Sequence, residues 1–228
     1  MRPIYRRCCR CVDALIQIIV ETIMKKMFSS LSVAIAALLL SCVAWSAGDA
    51  DRGKSKVAVC GACHGNDGNS LIAANPKLAG QGEQYLLKQL RDIQSGARSA
   101  PLMTGMLNGL DDADLADVAA YYASQTQTKS VAKAEWLELG KELYRAGNRD
   151  RGIPSCTGCH GPAGMGNAPA KYPMISGQHA DYIAQQLRNF SLGERTNDGE
   201  ARVMRDIAER MNENEIKAVA SYAAGLRP

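Results

Sequence analysis

Two five-residue segments of this 228-residue chain carry the side chains best suited to chemistry: Cys60-Gly61-Ala62-Cys63-His64 and Cys156-Thr157-Gly158-Cys159-His160. On a helix, residues three and four apart share a face. Each segment can therefore set two thiols side by side and place an imidazole directly after the second. That spacing suits two thioether bonds to the vinyl groups of one porphyrin, with the histidine beneath the iron as its proximal ligand. Each motif predicts a covalently bound haem c. Cys60 and Cys63 would hold the first and Cys156 and Cys159 the second, with His64 and His160 as axial iron ligands. A thioredoxin-type redox pair would need a βαβ context, which the sequence lacks. A zinc site would have no use for a histidine immediately after each pair. Eight cysteines suggest a disulfide framework at first sight, but four lie in residues 1–46 and the other four are in these two motifs.

A low-spin electron-transfer haem takes a second axial ligand, commonly methionine. The candidates are Met103 and Met106 in the first half, and Met165, Met174, Met204 and Met211 in the second. An internal repeat chooses among them. The two motifs are offset by 96 residues. At offset 97, Pro76-Lys77-Leu78-Ala79-Gly80-Gln81 matches Pro173-Met174-Ile175-Ser176-Gly177-Gln178, and Tyr85, Gln89, Leu90 and Arg91 match Tyr182, Gln186, Leu187 and Arg188. At offset 101, Leu115, Val118, Ala119 and Tyr121 match Ile216, Val219, Ala220 and Tyr222. In that last register only Met103 and Met204 are methionines in both copies, so they are the expected sixth ligands. Met106 is expected to fill a gap in the core, and Met165 to be a loop residue. His179, opposite Gly82 in the repeat, is expected on the surface. Pro76 and Pro173 either offer carbonyls to the histidine ring N–H groups or are simple turn prolines.

The elements that must position these residues are helical. Asp111 with Asp114, and Asn212 with Glu215, stand at matching N-cap spacings, as in a capping box. The apolar residues after them recur at three and four. Further helices are expected over 84–95 and 181–192, with Gly225 as a C-cap. The Gln-, Thr-, Ser- and Lys-rich stretch 125–134 reads as a linker, giving domains over 47–128 and 129–228. Each half is small enough to have a thin core, and aromatic residues make up only 5% of the chain. A buried porphyrin would supply the missing apolar volume.

Met24-Lys25-Lys26-Met27 followed by the apolar stretch 28–43 and Ala44-Trp45-Ser46 has the layout of a cleavable secretory signal peptide. An uncleaved anchor is one alternative. Another is a lipoprotein site at Leu39-Leu40-Ser41-Cys42, with lipid on Cys42. Residues 1–23 read as translated sequence upstream of the true start, so 1–46 as a whole would be removed. The formal net charge is +4, yet residues 1–46 hold six basic groups and two acids, which leaves the remainder balanced. A nucleic-acid footprint has no support. Residues 47–128 carry seven basic and nine acidic side chains, and residues 129–228 fourteen and twelve. Such a dipole could orient the protein on charged partners, although small differences of this size are common.

The two motifs, Gly65-Asn66-Asp67-Gly68-Asn69, Pro76 to Glu83, Met103-Thr104-Gly105-Met106-Leu107 and Arg195-Thr196-Asn197-Asp198-Gly199 together resemble the cytochrome c4 family of periplasmic di-haem class I cytochromes c. The resemblance runs from about residue 47 to about residue 226. It implies an all-α fold of two tandem class I cytochrome c domains related by a pseudo-two-fold axis, with two covalent haem c groups and His64–Met103 and His160–Met204 ligation. It implies electron transfer in the periplasm from a quinol-oxidising cytochrome bc complex to a terminal haem–copper oxidase, with no small-molecule substrate, no enzymatic turnover and at most peripheral membrane association. The alternative is a haem-bearing subunit of a dehydrogenase or oxidase complex.

Overall fold

The computed structural model describes residues 48–227. The readings for the signal peptide, Cys42 and residues 1–23 lie outside the described residues. Two short helices open the first half: α1 (Ala50–Lys56) and α2 (Ala58–His64). Two longer ones follow, α3 (Glu83–Gln94) and α4 (Asp112–Ser124), with a 3-10 turn over Pro101–Met103 between them. The second half repeats the plan with α5 (Leu137–Ala146), α6 (Thr157–His160), α7 (Ala180–Ser191), α8 (Val203–Ala208) and α9 (Glu213–Gly225). Among the described residues the only β-structure is two isolated bridges, Asn148 with Ile153 and Asn167 with Tyr172.

The last helix of each half is the platform for the others: α1 and α3 pack on α4, and α5 and α7 pack on α9. Both platforms begin with a complete capping box. The Asp111 carboxylate accepts from Asp114 N–H while the Asp114 carboxylate accepts from Asp111 N–H, and Asn212 and Glu215 do the same. The first and last helices of each half cross at a glycine. A Cβ on Gly53 would lie 2.0 Å from the Asp117 carbonyl oxygen, and one on Gly140 would lie 2.3 Å from that of Ala218. Asp117 and Ala218 are repeat partners, so the same close crossing is built twice. Gly225 departs from its expected role. It is the last residue of α9 rather than its cap, and a Cβ there would sit 2.6 Å from the Ala132 nitrogen, where the linker passes.

The halves meet through polar groups that the repeat supplies in pairs. Gln178 accepts from Lys77 N–H and donates to the Lys77 carbonyl, both at 2.9 Å. Gln81 accepts from Met174 N–H and donates to the Met174 carbonyl, both at 2.8 Å. Each amide side chain thus copies one rung of an antiparallel ladder against the other half's backbone. Beside them, Arg98 donates to Gln89, Tyr182 and Gln186. Arg195 answers from the other half with bonds to Gln186, Tyr85 and Gln89.

The two halves differ where α1 crosses α4. Asp117 is 1% exposed, yet accepts from Asp49 N–H, Arg52 Nε and Nη2, and Lys56 Nζ. Its repeat partner is Ala218. Hydrogen bonds from Arg52 above all, then from Lys56 and the Asp49 amide, hold this carboxyl well below the usual carboxylate range against the cost of burial. A carboxyl depressed below its unfolded value of about 3.9 contributes stability that is complete above that pH. The contribution is lost as pH falls toward the folded value. Acidification from about pH 5 to about pH 2 should therefore loosen the first half more steeply than the second. Asp117→Asn should remove that difference. Hydrogen exchange of the holoprotein, resolved by half, measures this; equal loss in both halves of the wild type would contradict it.

Candidate haem sites

Each cysteine–histidine motif is wound into a short helix. The first occupies the end of α2, and the second is α6 with Cys156 as its N-cap residue. Both helices stop immediately after their histidine, at Gly65 and Gly161. The imidazole therefore stands at a helix end, where a neighbouring loop can reach it. That loop is the proline segment. His64 Nδ1 lies 2.9 Å from the Pro76 carbonyl oxygen, and His160 Nδ1 lies 3.0 Å from that of Pro173. A carbonyl oxygen has no proton to give, so Nδ1 donates and Nε2 carries the lone pair that can bind a metal. The turn-proline alternative is thereby set aside. Burial pushes both imidazoles below their ordinary value, outweighing the carbonyl bonds that act the other way. Both rings are thus held neutral, as metal ligation demands.

None of the four motif cysteines is paired in a disulfide, so all four are available for thioether bonds. Burial raises Cys60 above its ordinary value and takes Cys156 to about 11. Cys60 and Met103 both pack against the core of the first half, built on Leu86, Leu87, Leu115, Val118 and Tyr122. Cys156 and Met204 both pack against the core of the second, built on Leu143, Leu187, Phe190, Ile216 and Val219. Each candidate methionine is thus half-buried on the same cluster as its motif's first cysteine, on the 3-10 turn in one half and on α8 in the other. Met174 and Met211 are core residues. Met106 is not the gap-filler expected of it. It is 45% exposed, and the buried residue of that loop is its neighbour Leu107. Met165 is a loop residue as expected, exposed, with its sulfur accepting from the Ser176 hydroxyl.

Three further features suit a porphyrin. The Tyr122 hydroxyl is buried with no hydrogen-bond partner, whereas Tyr144 in the second half donates to the Gly161 carbonyl. A buried hydroxyl left unsatisfied costs about 1–3 kcal/mol, which a bound group can relieve. Arg98 and Arg195 are tied to amide and phenol oxygens rather than to carboxylates among the described residues. Their charge matches the acidic substituents of a porphyrin. Large rings are few in both cores: the buried aromatic residues are Tyr122 in the first half and Tyr144, Phe190 and Tyr222 in the second.

Residues with roles at the seam escaped attention as single residues. Gln81, Gln178, Arg98 and Arg195 differ in no local way from surface residues. The usable signal was their persistence as identical pairs at offset 97. His179 is likewise not the surface residue expected: it is half-buried, and its Nε2 lies 2.8 Å from the Ser70 carbonyl oxygen of the other half. Its position opposite Gly82 in the repeat concealed this, because the contact has no mirror image.

Two helical copies, each presenting a cysteine pair and a carbonyl-oriented histidine beside a half-buried methionine, define a tandem haem protein of the cytochrome c type. The family model described as Cytochrome c matches twice, over residues 50–126 and 137–226. The chain is 52% identical to the cytochrome c4 of Azotobacter vinelandii over 193 residues, covering 81% of this chain and 92% of that one. It is 51% identical to that of Pseudomonas aeruginosa over 187 residues, covering 82% and 93%. The crystal structure of reduced recombinant cytochrome c4 from Pseudomonas stutzeri superposes with a TM-score of 0.78 at 50% identity, spanning 79% of this chain and all of that one. The chain belongs to the cytochrome c4 family: an all-α, two-domain electron-transfer protein with two covalent haem c groups.

Because the cofactor completes each thin core, its binding energy is folding energy. Replacing Cys60 and Cys63 by Ala should leave the first half sensitive to protease and the second, which loses the Gln81 clamp on Met174, less affected. Limited proteolysis with mass mapping tests this, and a resistant first half lacking haem would refute it.

Proposed function

We propose that this protein is a soluble periplasmic carrier that takes electrons from a quinol-oxidising cytochrome bc complex and delivers them to a terminal haem–copper oxidase, without turning over a substrate of its own. In this reading Cys60 and Cys63 hold the first haem c and Cys156 and Cys159 the second. The first iron is ligated by His64 and Met103, the second by His160 and Met204. One observation carries the assignment: a methionine recurs in the same repeat register in both halves, each time packed on the cluster that holds the motif's first cysteine.

When bound, each haem supplies a one-electron Fe(III)/Fe(II) couple. The protein's own residues set its conditions. The Pro76 and Pro173 carbonyls fix the ring planes, and burial keeps both imidazoles neutral, so no proton need move at the histidines. With His64 and Met103 on one iron and His160 and Met204 on the other, no position would be left for a small molecule, which argues against an enzyme. No helix among the described residues is long and apolar enough to cross a membrane. Export would rest on the signal-like layout of residues 24–46, with peripheral membrane association at most. The opposite charge imbalance of the halves would orient the molecule on charged partners, with a strong dependence on salt.

Met103→Ala should make one haem high-spin and open to carbon monoxide, and Met204→Ala the other, each leaving its neighbour low-spin. Visible absorption and carbon monoxide titration read this directly. The same outcome from Met106→Ala would overturn the register. Carbon monoxide binding to the untouched protein would favour enzymatic chemistry. The route is tested with purified bc complex and oxidase, where adding the holoprotein should restore quinol-driven oxygen uptake that falls as salt rises.

A further inference from the structure

Lys77 and Met174 are repeat partners, and each reaches across the seam. A Cβ on Gly80 would lie 3.6 Å from the Met174 methyl, and Lys77 Nζ lies 3.0 Å from the carbonyl of Gly177, the repeat partner of Gly80. The same niche thus holds a thioether in one copy and an amine in the other. Lys77 is 5% exposed, and no carboxylate pairs with it among the described residues. Nζ donates to the carbonyls of Thr128 and Gly177 and to the Ser130 hydroxyl, at 3.0, 3.0 and 3.2 Å. The Ser130 proton is itself spent on the Gly177 carbonyl at 2.9 Å. All three neighbours must therefore accept, and three acceptors require three N–H bonds. An ammonium has three and a neutral amine two. Burial pulls this group below its ordinary pKa, but the acceptor cradle selects the charged form.

The backbone of Lys77 follows Pro76, whose carbonyl orients His64. Gly177 stands in the segment that begins with Pro173, whose carbonyl orients His160. A fixed positive charge therefore lies between the two histidine-orienting segments, screened little by solvent. Resting on the di-haem reading above, we propose that the Lys77 ammonium is a built-in cation that raises the reduction potential of the haem pair. Each reduction, Fe(III) plus one electron to Fe(II), lowers the local charge by one and needs no other reactant. A neighbouring cation opposes the oxidised form and favours the reduced one. The cationic neighbour is present once, because its repeat partner is a methionine.

The test is a redox titration of the holoprotein, with each haem followed separately by its spectrum. Lys77→Met, which installs the residue that the second copy uses, should weaken reduction of at least one haem about tenfold, which is 59 mV for a one-electron couple. Lys77→Arg keeps the charge and should leave both midpoints near the wild type. Ser130→Ala loosens the same cradle without removing charge, and should also leave them. If Lys77→Met does not fold, Lys77→Gln takes its place. Midpoints unchanged without the charge would overturn the proposal. So would a fall in Ser130→Ala as large as that in Lys77→Met, because loosening rather than charge would then be the cause. A wild type with fewer than two low-spin haems would instead defeat the ligation scheme on which the proposal rests.

Discussion

Two glutamine amides hold this molecule in register, and each holds the half to which it does not belong. Gln178 grips both backbone groups of Lys77, the residue after Pro76; Gln81 grips those of Met174, the residue after Pro173. Those prolines supply the carbonyls that fix His64 and His160. The histidine of each half is therefore oriented by a segment clamped from the other half. Neither site is complete as an isolated domain, even though the chain is a plain duplication. This dependence also explains why glutamine stands at both positions. A shorter or apolar side chain would leave a buried amide N–H and carbonyl unpaired, each at about 1–3 kcal/mol.

On that symmetric frame two of the differences between the halves are buried charges. Asp117 with Arg52 and Lys56 occupies one helix crossing, where the second half has Ala218. Lys77 occupies one side of the seam, where the second half has Met174. A surface charge pair is worth about 0–1 kcal/mol and is screened by salt. The same charge out of water acts on its neighbours much more strongly. Two copies that differ in buried charge can therefore behave differently while sharing a fold. The net charges of −2 and +2 over residues 47–128 and 129–228 include these buried groups.

What the sequence made legible is local or repeated. The cysteine–histidine spacing is a property of one helical turn, and a capping box needs only four residues, so both could be read directly and appear in the fold. The helices expected over 84–95 and 181–192 came within a residue of α3 and α7, because the hydrophobic stripe decides them. The repeat singled out Met103 and Met204, which a single copy could not have done. What stayed hidden depends on contacts far apart in the chain without a local signature. His179 meets Ser70 across 109 residues, and nothing near either announces the other. Gly225 looked like a cap because glycine often is one, whereas it serves a close approach of the linker. Met106 was expected in the core by its chemistry alone, yet the turns after Met103 expose it and bury Leu107 instead.

The polar character of the seam has a functional logic. An apolar interface of the same size would tolerate sliding, because dispersion and hydrophobic contacts are weakly directional. A seam built from amide–backbone pairs and shared guanidinium bonds does not. Hydrogen bonds weaken steeply once bent well below 150°, so a small rotation between the halves strains several at once and leaves their partners unsatisfied. Electron transfer between two centres falls off steeply with distance and depends on their relative orientation. A carrier with two centres therefore gains from an interface that permits one arrangement and penalises its neighbours. The two copies of each bond double that penalty, because the rotation that strains Gln81 against Met174 strains Gln178 against Lys77 as well. Duplication thus supplies both the pair of sites and the reciprocal clamps that keep them at a fixed separation.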